Sequence, residues 1–204
     1  EAFATYLKSS AGGNLNEEQI KILTNQKATT AQIAAAPEWL VEVSKGDDKV
    51  IIYFSGHGDV ETKTMFQLGY LLTWDSPAKT YVAGAFPLQY LQAIVSTLSL
   101  QNKVDVTLIT DACRAGKLAG SNVGGAQITN ANLSKQFANE VKILSCQPNE
   151  YSSEGSQWGG GHGVFTYHLL DGLKGMADNN NDLSVNLLEI GRYLEDNVSK
   201  EVAP

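Results

Sequence analysis

Two short runs rich in apolar and β-branched residues constrain this chain more than anything else in it. Val50 to Phe54 reads VIIYF, and Val104 to Thr110 reads VDVTLIT. VIIYF does not alternate as a half-solvated strand does, so it predicts a strand covered on both faces, the pattern of parallel sheets, and VDVTLIT is a second buried-strand candidate. Glu140 to Ser145 (EVKILS) predicts a third strand of this kind, and Leu68 to Leu72 and Ile20 to Leu23 (IKIL) predict two shorter ones. Helical spacing and capping signals fall between them. Glu1 to Ser9 reads as a helix stopped at Gly12-Gly13. Thr29-Thr30 caps a helix running to about Lys45, and Pro87 starts one running to Leu98. Val164 to Leu173 reads as a helix ending at Gly175, and Leu187 to Val198 as an amphipathic final helix. Strands alternating with helices predict an α/β fold, a three-layer sandwich with a mainly parallel central sheet.

The chain has 204 residues, which suits one domain, and no internal boundary or repeat is visible. The expectation is a single domain over 1–204 with a loop at 116–139, rich in Gly, Ser, Asn and Ala. The formal net charge of −7 argues against a nucleic-acid partner. No apolar run approaches the ~20 residues of a membrane span. Two cysteines, Cys113 and Cys146, are too few for a disulfide-built scaffold or a cysteine metal cluster. The chain shows no signal-peptide pattern and starts at Glu1 as if cut from a longer protein. The compartment stays open, with the cytoplasm favoured, and the expected state is a monomer or weak homodimer.

In parallel α/β sheets ligands bind beyond the carboxyl ends of the strands. Here VIIYF runs into Ser55-Gly56-His57-Gly58, and VTLIT runs into Asp111-Ala112-Cys113-Arg114-Ala115-Gly116. If the two strands are parallel neighbours, His57 and Cys113 share one edge of the sheet. Their separation of 56 residues leaves room for a helical crossover. A thiol attacks as the thiolate, and an adjacent imidazole accepts its proton or stabilises its charge. Glycines beside His57 let a substrate backbone approach closely. The N–H groups of Gly58 and Cys113 are then the candidate donors to a tetrahedral oxyanion. Taken singly, a cysteine at a strand end is usually a small buried hydrophobe, and a histidine beside glycines a turn residue. The pairing of both at two strand ends is what points to a catalytic dyad.

Together YFSGHG (Tyr53 to Gly58) and DACRAG (Asp111 to Gly116) resemble the His and Cys motifs of caspase-like peptidases, with the His at the family's upstream distance. Leu23-Thr24-Asn25 with Ala28-Thr29, and His162 to Thr166 with Gly172 to Gly175, extend the resemblance over most of the chain. It implies that His57 is the catalytic base, Cys113 the nucleophile and Gly58 the oxyanion-hole glycine. Asp111 stands where caspases carry Gln and where metacaspases and their bacterial relatives, the orthocaspases, carry Asp. By that resemblance the substrate is a protein or peptide cleaved after Arg or Lys, with Asp111 and Ser55 in the pocket for the cation. Glu154 is a further candidate wall, and Arg114 a structural residue. The same resemblance implies a strand ahead of the first helix, which either lies upstream of Glu1 or is missing from this fold.

Lys117 and Lys135 flank the Gly/Ser/Asn-rich loop and are candidate self-cleavage positions. No cofactor is required for the thiol chemistry. Asp178, Asn180, Asp182, Ser184 and Glu189 fall at calcium-loop positions one, three, five, seven and twelve, although Leu183 replaces the glycine expected at six. Without that glycine, a solvated turn with no metal explains them better than calcium does. His162 and His168 lack the strand-end context of His57. A catalytically silent binding or signalling module is the competing reading.

Overall fold

The computed structural model describes residues 1–112, 140–145, 155–159, 161 and 163–202. It resolves into two compact units, one of residues 1–22 with 152–204, the other of residues 23–151.

The second unit is a mixed α/β structure built on a parallel sheet in the order β1 (Lys49–Ser55), β5 (Asp105–Asp111), β6 (Glu140–Leu144). The register pairs Val50 with Val106, Ile52 with Leu108 and Phe54 with Thr110. Side chains alternate across a strand, so these even-numbered positions share one face. That face packs against α2 (Thr30–Val43) and α3 (Leu88–Ser96). Val50, Val106 and Leu108 form one buried cluster with Leu88, Leu91, Ile94 and Val95, and Ile33, Leu40 and Val41 pack against it. The Thr29 hydroxyl caps α2 by accepting the Gln32 N–H at 3.4 Å. Pro87 stands at the N-cap of α3, where a missing N–H costs nothing.

Beyond Ser55 the chain passes Gly56 and starts a second, antiparallel sheet of β2 (His57–Val60), β3 (Gly69–Leu72) and β4 (Phe86–Pro87). Leu71 and Phe86, paired across β3 and β4, belong to the main core, whereas Tyr70, Tyr81 and Ala85 form a cluster of their own.

The structure differs from the sequence expectations at three places. Ile20 to Leu23 joins neither sheet. Ile20 is extended, but Ile22 is 42% exposed, and an apolar run without a strand partner does not become a strand. VIIYF is covered only in part: Ile51 is 41% exposed because β1 is an outer strand among the described residues, with helices of this unit on its even face. His57, expected just past the end of the VIIYF strand, opens a strand of its own in the second sheet.

The first unit holds α1 (Ala2–Lys8), α4 (Val164–Asp171) and α5 (Leu187–Val202). Helix α4 runs on into a wider turn, Gly172–Met176, in which Gly175 takes φ +117°. A Cβ on Gly172 would lie 2.6 Å from Ile190 Cδ1 and 2.9 Å from Tyr193 Cδ1, so glycine is what lets α5 approach there. Among the described residues no helix is long and apolar enough to cross a membrane.

Leu108 is 2% exposed at the centre of the packed sheet face. Truncation to Ala removes contacts that the surroundings cannot fully replace, so Leu108→Ala is expected to lower the unfolding free energy by about 2–5 kcal/mol. Urea denaturation measures this; a loss below about 1 kcal/mol would contradict a closed core on that face.

Candidate active site

The β1–β5 register ends with Ser55 opposite Asp111, and the Gly56 N–H donates to the Asp111 carbonyl at 2.9 Å. The two strands are parallel neighbours whose carboxyl ends finish side by side. Asp111 is 6% exposed and Ala112 fully buried, whereas Ser55 is exposed. This corner therefore brings together Ser55, Asp111 and the start of β2. Cys113, two residues past Asp111 in the sequence, lies outside the described residues. So do Arg114, Lys117, Lys135, Cys146, Glu154 and His162.

His57 is half-buried and lies opposite Leu72 in the β2–β3 register. Its Nδ1 is enclosed and has no hydrogen-bond partner among the described residues. The next residue, Gly58, is buried and pairs with Leu71. Hydrogen-bonded and non-hydrogen-bonded pairs alternate along an antiparallel ladder. The Glu61 N–H donates to the Leu68 carbonyl at 3.0 Å, and the Val60 N–H turns instead to the side chain of Asp59 at 2.8 Å. Gly58 is in phase with Val60, so its N–H points away from β3. A donor that the sheet does not use is what an oxyanion hole requires.

Sequence reasoning overlooked Asp59 and Tyr81. Asp59 shares the face of β2 that carries His57, two residues on, and is 4% exposed. The Tyr81 hydroxyl donates a short hydrogen bond to Asp59 Oδ2. Burial, reinforced by that carboxylate, pushes the Tyr81 phenol up to about 12, so it stays protonated as the donor. Tyr70, opposite Asp59 on β3, stacks obliquely on Tyr81 with ring centres 6.0 Å apart. Its phenol is also raised by burial and by the charge of Glu61. The available signal was weak: an acid just after His-Gly reads as a turn residue until the hairpin encloses it.

The acidic turn belongs to the other unit, and its side chains serve the backbone. Asp178 accepts the Asp182 and Leu183 N–H groups, Asn180 that of Asp182, and Asp182 that of Ser184. Glu189 is 7% exposed and closes a capping box at the start of α5: it accepts the Asn186 N–H at 3.0 Å, while Asn186 Oδ1 accepts the Leu188 and Glu189 N–H groups. Among the described residues no group of three or more His, Cys, Asp or Glu side chains is placed to hold a metal ion. His168, in α4, is buried, and its Nε2 lies 3.0 Å from Glu201 Oε1.

Comparison with known proteins agrees with this architecture. No curated protein matches the chain. Among solved structures, protein GSU0716 from Geobacter sulfurreducens superposes with a TM-score of 0.60 at 17% identity, over 100% of this chain and 79% of that one, a likeness of fold. The family model described as the caspase domain matches residues 2–203. The chain therefore belongs to the caspase-domain family of cysteine peptidases.

Proposed function

We propose that this protein is a cysteine endopeptidase of the metacaspase and orthocaspase type, cleaving after Arg or Lys through Cys113 and His57. One observation supports the reading above others: Ser55 and Asp111 are register partners, and each dyad residue stands two positions farther along its own chain. In this reading the Cys113 proton passes to His57, and the thiolate adds to the scissile carbonyl carbon. The N–H groups of Gly58 and Cys113 receive the oxyanion. His57 returns the proton to the leaving amine, and water then hydrolyses the thioester to free enzyme and acid. Asp111 supplies the charge that a guanidinium or ammonium seeks, with Ser55 beside it and Glu154 as a further wall. No cofactor enters these steps, and calcium at the Asp178–Glu189 turn plays no part in the chemistry.

Fluorogenic peptides ending in Arg, Lys or Asp test the proposal, each with calcium and with a chelator. The expected result is turnover of Arg and Lys peptides at equal rates in both buffers. Turnover of Asp peptides alone would overturn the specificity. Lys117 and Lys135 extend the same preference to the chain itself. Stored active protein is expected to give two fragments on a denaturing gel and Cys113→Ala a single band; matching patterns would exclude self-processing.

A further inference from the structure

Resting on the dyad reading, we propose that Asp59, held by Tyr81, is a positioning residue for His57: it anchors the strand face that bears the imidazole and sets a fixed negative charge beside it. Burying a carboxylate is costly unless its oxygens are satisfied, and Asp59 is 4% exposed. Both oxygens are engaged, Oδ1 by the Val60 N–H and Oδ2 by the Tyr81 hydroxyl. Tyr81 lies on a one-turn helix, Tyr81–Ala83, twenty-two residues further along the chain. The bond therefore ties β2 to a distant segment and fixes the orientation of the carboxyl group.

The charge matters because of what His57 lacks. Its Nδ1 is enclosed without a hydrogen-bond partner among the described residues, so a neighbouring charge must support the ring when it takes the thiol proton. Asp59 stands on the same strand face at the i+2 spacing, about 7 Å along the backbone. Tyr70 from β3, Tyr81 and, two residues beyond Asp59, Glu61 are the other titratable groups facing it; both phenols are raised, so the negative charges are those of Glu61 and Asp59, and Asp59 is the nearer to His57 along the strand.

Asp59→Asn keeps the shape and removes the charge. With an Arg peptide it is expected to lower kcat about tenfold at unchanged KM, because one charge–charge interaction at partial burial is lost. Tyr81→Phe keeps the charge but removes the bond to Oδ2 that ties the carboxyl group to the distant segment, and is expected to give a smaller loss in kcat, again at unchanged KM. Iodoacetamide alkylation of Cys113 at fixed, mildly acidic pH reads the thiolate–imidazolium pair without peptide turnover. Its rate is expected to fall in Asp59→Asn towards that of His57→Ala, with the thermal midpoint followed in parallel. Wild-type kcat and alkylation in Asp59→Asn, or a rise in KM alone, would overturn the inference and leave the dyad standing. Equal alkylation of wild type and His57→Ala would instead remove the dyad, and this inference with it. Should Asp59→Asn fail to fold, Tyr81→Phe decides: lowered kcat at constant KM supports the role, and unchanged kcat refutes it.

Discussion

Cys113→Ala and His57→Ala are each expected to reduce turnover of an Arg peptide by about ten-thousandfold or more, and the double variant by little beyond either single one. Nucleophile and base act as one unit: without the imidazole the thiol is scarcely ionised and the leaving amine receives no proton, and without the thiol the imidazole has no nucleophile to activate. Both variants are expected to fold. His57 occupies a half-buried position at the start of β2, where the strand is held by its backbone ladder to β3 and by the Asp59–Tyr81 bond. Circular dichroism and thermal midpoints close to wild type, beside lost turnover, check that the effect is chemical. Residual activity in Cys113→Ala above a few per cent would assign the chemistry to another group.

Asp111→Asn carries the second largest effect. The carboxylate is 6% exposed at the end of a central strand. A cationic side chain entering such a site gives up its hydration and recovers it only by a charge-assisted bond. The amide keeps the volume and loses the charge, so kcat/KM for Arg and Lys peptides is expected to fall about a hundredfold or more. The reaction centre stays intact, so alkylation of Cys113 by iodoacetamide, which needs no cation pocket, should change little. This split separates pocket from dyad. Equal kcat/KM for wild type and Asp111→Asn would show that the cation is held elsewhere, with Glu154 the next candidate.

The parallel core was legible because its strands advertise themselves. VIIYF and VTLIT are contiguous and β-branched, and the Thr29 cap with the helical run behind it marks α2. What stayed hidden depends on partners distant in sequence. HGDV carries little strand propensity, and it becomes β2 because Gly69–Leu72 pairs with it and closes the hairpin. IKIL has the propensity and lacks the partner. The same blindness concealed Asp59, whose burial is set by Tyr70 and Tyr81, eleven and twenty-two residues away. Glu189 was different, since its role was written locally: Asn186-Leu187-Leu188-Glu189 has the spacing of a capping box just ahead of an amphipathic helix.

The most direct test of the central claim is a covalent trap. A peptidyl chloromethyl ketone ending in Arg alkylates a thiolate only where the peptide is bound and the sulfur activated. Intact-mass and peptide-level spectra are expected to show one adduct, on Cys113, formed rapidly in wild type and greatly slowed in both His57→Ala and Asp111→Asn. An adduct on Cys146, or equal labelling of Cys113 in His57→Ala and wild type, would contradict a thiol activated by the histidine at the neighbouring strand end.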